Sequence, residues 1–359
     1  MNLRLSSFVF FIYEYQLSEE TTIMKSAICT QPGIIEIQDV ARPIDKPGHV
    51  IIKIKHIGIC GTDIHAFGGQ QPYFEYPRVL GHELSGVVDS VGKGVDFSVG
   101  QNVYVIPYMA CGECIACRNS KPNCCTDIKV IGVHIDGGMT EYLQVPVDYV
   151  VKTNDMPLDH MAVVECLAIG AHAVRRSRLQ ADTDVLVVGA GPIGMGVAQF
   201  AKERGARVIM MDMNQDRLDY CKNTLNVDET LMAGDDSKKE LAALTNNEFP
   251  MTVFDATGNP KAMQSCFQWV SHGGTLVLVS VVKADIQFSD PEFHKREMTL
   301  MGSRNATKED FEHVIKCLRE GSVTVASMIT HRGSLLDLPT LLPLWSKSET
   351  GVIKALIEV

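Results

Sequence analysis

The chain has 359 residues, of which 45% are hydrophobic and 21% are charged, and its formal net charge is −10. This composition is ordinary for a folded protein of about two domains and excludes a fibrous or largely disordered chain. A negative net charge without a run of basic residues argues against a nucleic-acid partner, which requires a positive surface opposite the phosphates.

Eleven cysteines are present, and five of them lie between Cys111 and Cys125. A secreted protein would pair its cysteines in disulfides, but the count is odd and no convincing signal peptide is found. Clustered cysteines of this kind favour metal binding in a reducing compartment. We therefore expect a cytoplasmic metalloprotein.

The first residues do not fit the rest of the chain. One apolar run, residues 8–13, is too short to span a bilayer, and a strand-like stretch begins at Met24. We interpret residues 1–23 as an N-terminal extension without an assigned role, placed before a natural start at Met24. A membrane anchor is the less favoured alternative, and no membrane partner is expected.

The first half of the chain is predicted to consist mainly of short β-strands, separated by glycine turns and by a cysteine-rich loop at residues 111–125. The clearest elements in it are strands at residues 50–59, 83–91 and within 130–151, and a helix at residues 158–178.

From residue 184 onwards, strands and helices alternate. The predicted strands are residues 184–189, 207–212, 251–257, 275–280 and 297–302, and the predicted helices are residues 192–204, 214–224, 260–270 and 307–320. Alternation at this spacing predicts a parallel, doubly wound α/β sheet.

A glycine-rich turn joins the first of these strands to the first helix. Gly189 permits a tight turn, Gly191 lets the backbone approach a pyrophosphate, and Gly194 lets the helix pack against the strand. The N-terminus of the helix offers free N–H groups to phosphates. The turn residues expected to bind a dinucleotide are Gly189, Gly191, Pro192, Ile193 and Gly194.

An acidic residue follows at the distance that dinucleotide-binding domains require. Asp212 ends the next strand, 23 residues after Gly189. Its carboxylate would accept hydrogen bonds from ribose hydroxyls and repel a 2′-phosphate, so NAD is favoured over NADP. Arg217 is expected near the adenosine and leaves NADP open. The alternative is a simple glycine turn with a surface aspartate.

Four cysteines, Cys111, Cys114, Cys117 and Cys125, form a C-x2-C-x2-C-x7-C pattern. Four thiolates close a tetrahedral shell around Zn²⁺ and leave no position for a substrate, so the site is predicted to be structural. An iron–sulfur cluster is the competing metal. Cys124 is an alternative fourth ligand.

A second group of metal-binding residue types precedes this loop. Cys60 opens the sequence Cys-Gly-Thr-Asp-Ile-His, and His82 lies in Gly-His-Glu. One thiolate and one imidazole suit a zinc site that a carboxylate and a water would complete. Such an open position lets a substrate oxygen reach the metal.

These motifs, in this order, resemble the zinc-dependent medium-chain alcohol dehydrogenases over nearly everything after Met24, and in particular their polyol and sugar-acid branch with the sorbitol and threonine dehydrogenases. The resemblance implies a GroES-like catalytic domain at residues 24–178 and 306–359 and a Rossmann NAD-binding domain at residues 179–305. It also implies two Zn²⁺ ions per chain, Cys125 as the fourth structural ligand, and a homodimer or homotetramer.

The family's catalytic zinc ligands correspond to Cys60 and His82. Glu165 stands where this branch has a glutamate that binds the metal or its water, and Glu83 is an acidic residue that also enters the zinc shell. The residues do not decide between Glu83 and Glu165. Cys166 replaces the proline that is usual in this branch and adds a further candidate thiolate.

The remaining roles follow from the same resemblance. Asp63 would orient the ligand histidine, and Thr62 and His65 would relay a proton, with local hydrogen bonding as the alternative for both. If the substrate is a sugar acid, His134 and Arg304 are candidates to bind its carboxylate, although a structural role is equally consistent with each.

The resulting hypothesis is hydride transfer from a secondary alcohol of a small-molecule sugar acid to NAD. A polyol or L-threonine dehydrogenase is the alternative within the enzymes. A non-catalytic module that binds NAD and zinc is the alternative outside them.

Overall fold

A computed structural model describes residues 22–71, 74–153 and 156–359. The first part of the chain is rich in short strands. Its elements are β1 (Ile23–Gln31), β2 (Ile34–Ala41), β3 (His49–Ile59), α1 (Gly61–Phe67), β4 (Arg78–Val79), β5 (Glu83–Val91), β6 (Asn102–Val105), β7 (Tyr108–Met109), α2 (Ile115–Arg118), β8 (Lys129–Val130), β9 (Tyr142–Pro146), β10 (Val150–Lys152) and α3 (Leu158–Ala162).

Strands and helices then alternate. The elements are α4 (Val164–Ser177), β11 (Asp184–Val188), α5 (Pro192–Glu203), β12 (Arg207–Asp212), α6 (Gln215–Asn223), β13 (Glu229–Met232), α7 (Ser237–Leu244), β14 (Thr252–Asp255), α8 (Pro260–Cys266), β15 (Thr275–Leu278), α9 (Asp290–Lys295) and β16 (Thr299–Gly302). The last part contains α10 (Lys308–Glu320), β17 (Ile329–Ser334), α11 (Leu338–Trp345) and β18 (Lys354–Glu358).

The predicted N-terminal extension lies outside the described residues as far as residue 21. The first strand begins one residue before Met24, because Ile23 pairs with Ala41 of β2. The carbonyl of Thr22 also accepts a hydrogen bond from the N–H of Arg42 at 2.8 Å.

Strands β11 to β16 form one six-stranded sheet in the order β13-β12-β11-β14-β15-β16. All neighbouring pairs are parallel. Val185, Leu186 and Val187 of β11 are fully buried, as expected for a central strand covered on both faces. The order reverses direction between β11 and β14, which places a ligand crevice at the carboxyl ends of these strands.

The chain returns to its first part at the C-terminus. A second sheet has the order β10-β6-β5-β3-β18-β17, with β9 also paired to β3. β18 runs antiparallel to β3, with Leu356 opposite Gly58. The last strand therefore completes a sheet that residues 49–152 begin.

The two parts share an apolar core. One cluster of buried side chains joins Tyr108 and Met161 of the first part to Val187, Phe200 and Phe311. Helices α4 and α5 meet within this cluster at two glycines. A Cβ atom at Gly170 would lie 2.7 Å from the backbone of Gly196, so only glycine at position 170 permits this approach.

The predicted elements are confirmed with one exception. The helix predicted at residues 158–178 is divided into two helices at Val163. The N–H of Val163 donates to the carbonyl of His160, three residues earlier, so the backbone forms a 3-10 turn at this point. Within the alternating part of the chain, β13, α7 and α9 were not predicted. Across the described residues, no helix is both long and apolar enough to cross a membrane.

Candidate zinc and dinucleotide sites

Asp63 ties the start of α1 to the chain just before His82. Its Oδ2 accepts the N–H of Cys60 at 2.9 Å, and its Oδ1 accepts the N–H of Gly81 at 3.0 Å. The Asp63 side chain is buried, and burial raises its pKa although the charge of His82 opposes this. Cys60 and His82, 22 residues apart in sequence, are thereby held together.

Cys60, His82 and Glu83 form a group suited to a metal ion, since their ligand atoms all lie within 4.8 Å of one another. His82 is buried, and its Nδ1 lies 3.8 Å from Asp63 Oδ1 without a hydrogen-bond partner among the described residues. A bond from Nδ1 to Asp63 would leave Nε2 for a metal. Thiolate, imidazole and carboxylate donors fit Zn²⁺.

Glu83 has a second partner that the sequence did not indicate. Lys354 of β18 donates from Nζ to both carboxylate oxygens of Glu83, at 2.7 and 2.9 Å, and to the carbonyl of Ile59 at 3.2 Å. Both side chains are buried. Burial alone would lower the pKa of Lys354, but neighbouring groups, including the Glu83 carboxylate, raise it above its ordinary value. The pair is therefore a buried ion pair beside the metal-binding group.

Space around this carboxylate is restricted by the neighbouring strand. A Cβ atom at Gly58 of β3 would lie 2.0 Å from Oε2 of Glu83. Any side chain at position 58 would displace the carboxylate.

Glu165 lies in the first turn of α4 and is also buried. Tyr108 of β7 donates a hydrogen bond from its hydroxyl to Oε1 of Glu165. Burial raises the pKa of Glu165, while the charge of His82 lowers it, with a net upward shift. The next residue, Cys166, is buried, and burial raises the pKa of its thiol well above the ordinary value. Neither Glu165 nor Cys166 belongs to the group formed by Cys60, His82 and Glu83.

The four-cysteine loop brings four sulfur atoms close together. The sulfur atoms of Cys111, Cys114, Cys117 and Cys125 all lie within 4.8 Å of one another, and Cys124 is exposed and outside this group. Cys111 receives hydrogen bonds at 3.4 Å from the backbone N–H groups of Glu113 and Cys114.

Two cysteines of this loop have pKa values that differ from the ordinary value. Hydrogen bonds from the N–H groups of Cys117 and Thr126 lower the pKa of Cys114 to about 5, whereas desolvation raises the pKa of the neighbouring Cys117 to about 12. A closed set of four cysteine sulfurs fits a structural Zn²⁺.

The glycine turn has the form that a dinucleotide requires. Gly189 has a φ of 102°, which favours glycine, and Gly191 caps α5, which begins at Pro192. A Cβ atom at Gly194 would lie 1.8 Å from the carbonyl oxygen of Gly189. At Gly191 it would meet nothing nearer than Arg217 Nη1 at 4.0 Å, so space for a pyrophosphate remains above the helix N-terminus.

Asp212 and Arg217 lie beside this turn. Asp212 Oδ2 accepts the N–H of Ala190 at 2.6 Å, and its Oδ1 accepts the N–H of Asn214 at 2.8 Å. Arg217 donates from Nη2 to the carbonyl of Val352 at 3.2 Å, which links the cofactor side to the C-terminal segment. The predicted cofactor residues thus meet at the carboxyl edge of the sheet.

A further acidic residue at this edge was not singled out from the sequence. Asp255 ends β14 and is fully buried, where it accepts hydrogen bonds from Thr257 and Ser280. Burial raises its pKa. An aspartate directly after a buried strand is the signal that would have found it.

The two proposed relay residues lie on α1. Thr62 is half-buried and His65 is exposed, with His65 Nδ1 3.3 Å from Oε1 of Gln70. They are three residues apart and so lie on one face of the helix.

His134 and Arg304 both have local structural contacts. Nδ1 of His134 accepts the N–H of Val130 at 3.0 Å, and the carbonyl of Arg304 accepts from Nδ2 of Asn123 at 2.9 Å. Burial lowers the pKa of His134, and the positive charges of Lys129, Arg304 and Arg78 lower it further. Arg78 was not identified from the sequence.

Comparison with known proteins agrees with this geometry. Residues 46–155 match the family described as alcohol dehydrogenase GroES-like domain, and residues 192–320 match the family described as zinc-binding dehydrogenase. L-galactonate-5-dehydrogenase of Escherichia coli K12 is 46% identical over 310 residues, covering 86% of this chain and 91% of that protein.

Two further similarities extend over similar lengths. The 2-dehydro-3-deoxy-L-galactonate 5-dehydrogenase of Pseudoalteromonas atlantica is 31% identical, covering 87% of this chain and 92% of that protein. The crystal structure of the rspB alcohol dehydrogenase of Escherichia coli CFT073 with NADH has a TM-score of 0.88 and 30% identity, covering 94% of this chain and 99% of that one.

The resemblance to medium-chain alcohol dehydrogenases that the sequence motifs indicated is confirmed. The chain belongs to the zinc-binding alcohol dehydrogenase family, and it is an NAD-linked enzyme with a GroES-like domain and a Rossmann-type cofactor domain.

Proposed function

We propose that the enzyme oxidises a secondary hydroxyl of a sugar acid of the L-galactonate type and transfers the hydride to NAD. The observation that carries this proposal is the 46% identity to L-galactonate-5-dehydrogenase along 86% of the chain. The product would be the corresponding keto acid, as in the oxidation of L-galactonate to D-tagaturonate.

Cys60, His82 and Glu165 are proposed to hold the catalytic Zn²⁺. Both oxygens of Glu83 are engaged by Lys354, whereas Glu165 is held at Oε1 by the neutral hydroxyl of Tyr108. Moving Glu83 to a metal would leave Lys354 as a buried, unpaired cation, which is costly. Glu165 is therefore the better resting ligand, with Glu83 close enough to exchange with it.

The chain's own residues supply positioning and proton transfer. Bound at this site, Zn²⁺ supplies a Lewis acid that lowers the pKa of a substrate hydroxyl. Thr62 Oγ1 would accept the hydroxyl proton while donating its own through the cofactor ribose to His65, which would release a proton to solvent. With a proton on Nδ1 facing Gln70, His65 presents Nε2 as the acceptor. NAD supplies the hydride acceptor, and Asp212 binds its ribose.

The proposal is tested with purified, zinc-loaded protein. NADH formation is measured with L-galactonate, other aldonates, galactitol, sorbitol and L-threonine, and the measurement is repeated with NADP. We expect the highest kcat/KM for L-galactonate with NAD. Oxidation of a polyol or of L-threonine without oxidation of any aldonate would show that the sugar-acid assignment is wrong.

A further inference from the structure

We propose that Glu203, His313 and Cys317 form a third metal site, which binds Zn²⁺ or a similar divalent transition-metal ion between α5 and α10. One ligand atom from each residue lies within 4.8 Å of the other two. We call these three residues the α5–α10 cluster. The cluster shares no residue with the two zinc sites described above, and it does not depend on which alcohol the enzyme oxidises.

Two of the three ligands come from one turn of α10. His313 and Cys317 are four residues apart in this helix, so their side chains are neighbours on one face. The Sγ atom of Cys317 lies 3.6 Å from Nε2 of His313 and 3.9 Å from its Nδ1. The imidazole therefore turns Nε2 towards the sulfur.

The third ligand comes from the carboxyl end of α5. Glu203 is the last residue of this helix, and its Oε2 lies 3.5 Å from Nε2 of His313. The carboxyl end of a helix carries a partial negative charge, which favours a bound cation. Arg204 Nε lies 3.8 Å from the same oxygen, too far for a hydrogen bond, and a surface ion pair of this kind is weak.

The separations of these atoms match those in a tetrahedral zinc shell. Zinc bonds of about 2.0–2.3 Å at tetrahedral angles place neighbouring ligand atoms about 3.3–3.6 Å apart. The observed distances are 3.6 Å from sulfur to nitrogen and 3.5 Å from nitrogen to oxygen. The sulfur and the oxygen also lie within 4.8 Å of one another, so one ion between the three atoms requires only a small approach of the side chains.

Packing already holds the two helices together. Phe200, three residues before Glu203, contacts the ring of His313 with ring centroids 5.7 Å apart. Gln199 of α5 is buried and accepts the N–H of Thr324 at 2.8 Å, which ties α5 to the segment after α10. The three ligands are therefore brought together by the fold itself.

A metal ion has access to the cluster from solvent. The side chains of His313 and Glu203 are 27% and 25% exposed, whereas Cys317 is buried. Burial raises the pKa of the Cys317 thiol, and a hydrogen bond from Ser322 opposes this rise. Zinc binds the thiolate, so binding releases the thiol proton to water.

The donor types select the ion and exclude another role for the cysteine. Thiolate and imidazole favour Zn²⁺ over Mg²⁺ and Ca²⁺, which prefer oxygen ligands. A nucleophilic cysteine would need an accessible sulfur with a lowered pKa, but Cys317 is 1% exposed and its pKa is raised. A metal ligand needs contact with the ion alone.

The cluster is expected to hold its ion less tightly than the four-cysteine loop. Three protein ligands leave a fourth position for water, whereas four cysteine sulfurs close the shell of the loop. Dialysis against metal-free buffer should therefore empty the cluster, so that a dialysed wild-type chain holds two Zn²⁺. The third ion is bound when Zn²⁺ is added again.

The test is calorimetric titration of Zn²⁺ into dialysed protein whose two retained ions have been counted by elemental analysis. We expect wild type to bind one further Zn²⁺ per chain. Glu203→Gln and His313→Gln should weaken this binding at least about tenfold, and Cys317→Ala should abolish it. Added Zn²⁺ should also raise the Tm of wild type more than that of these variants.

Glu312→Gln is the matched control, because Glu312 is exposed on α10 next to His313 and lies outside the cluster. It should bind the further Zn²⁺ as wild type does. Circular dichroism checks the fold of Cys317→Ala, and Glu203→Gln changes an exposed residue, so its result does not depend on a change in the core.

Absence of a further Zn²⁺ in wild type would overturn the proposal. So would unchanged Zn²⁺ affinity in the Glu203 and His313 variants, which would place the ion elsewhere on the surface. No sugar acid enters these measurements, and their outcome is therefore distinct from that of the substrate test.

Discussion

Lys354 is a buried cation 271 residues away in sequence from the carboxylate that it binds. Removal of one partner of a buried ion pair leaves an uncompensated charge, which costs about 3–5 kcal/mol. Lys354→Met is therefore expected to lower the free energy of unfolding by about 3–5 kcal/mol, measured by urea denaturation of the zinc-loaded protein.

The double variant Lys354→Met/Glu83→Gln should recover part of this stability, because it also removes the charge left unpaired. Lys347→Met, at an exposed lysine near the same strand, should behave as wild type. A single Lys354 variant as stable as this control would show that the pair does not stabilise the fold.

Cys124 and Cys125 are adjacent in sequence, but only Cys125 is proposed to bind the structural Zn²⁺. Cys125 is buried and lies in the group of four sulfurs, whereas Cys124 is exposed and lies outside it. Cys125→Ser is expected to lose one Zn²⁺ per chain by elemental analysis, and Cys124→Ser should keep the wild-type content. The reverse result would make Cys124 the fourth ligand.

At the scale of elements, the junction of β11 and α5 requires glycine at one position and tolerates a side chain nearby. A Cβ atom at Gly194 would lie 1.8 Å from the Gly189 carbonyl, but at Gly196 the nearest atom would be Leu167 Cδ2 at 3.7 Å. Gly194→Ala should abolish NADH binding by fluorescence titration, because the turn must move.

Gly196→Ala, in the same helix, should retain NADH affinity within about threefold. Circular dichroism of both variants separates loss of binding from loss of fold. Wild-type affinity in the Gly194 variant would refute the assignment of the turn to the dinucleotide.

The junction of α10 with α4 depends on one buried carboxylate. Asp310 accepts hydrogen bonds from His172 at 2.8 Å and from Arg175 at 2.6 Å, and it caps its own helix through the N–H of Thr307. Burial raises its pKa, but these donors outweigh burial and hold the pKa well below the ordinary value.

Stability from a depressed carboxyl pKa is complete above the unfolded pKa, about 4, and is lost as the pH falls below it. Asp310→Asn should therefore be less stable than wild type at pH 7, and this difference should shrink by about 1 kcal/mol near pH 3. Urea unfolding at both pH values measures it, with the exposed Asp285→Asn as control. A difference independent of pH would contradict this account.

At the scale of the whole molecule, the local motifs were predictable because their residues lie close in sequence. The glycine turn and the four-cysteine loop each occupy fewer than 20 residues, and the structure brings each of them together as expected. The parallel sheet was predictable from the alternation of apolar strands with amphipathic helices.

Long-range partners were not predictable. Tyr108 meets Glu165 across 57 residues, and nothing in either local sequence indicates the contact. Arg78 and Lys354 lie in strand patterns where a basic residue is normally a solvent-exposed one. β13, α7 and α9 were missed because they are short, at four, eight and six residues, so a periodic pattern of apolar residues cannot be established in them.

The division of the molecule into two parts also explains why the site is built from distant segments. The proposed zinc ligands come from the GroES-like part, and the proposed dinucleotide turn comes from the parallel sheet.

Cys60 and His82 are proposed to form a catalytic zinc site that is separate from the four-cysteine site. The decisive measurement is Zn²⁺ content together with L-galactonate-dependent NADH formation, on the same samples of wild type and Cys60→Ser. We expect two Zn²⁺ per wild-type chain with turnover, and one Zn²⁺ with no turnover but retained NADH binding in Cys60→Ser. Wild-type turnover in a Cys60→Ser protein that holds one Zn²⁺ would contradict the claim.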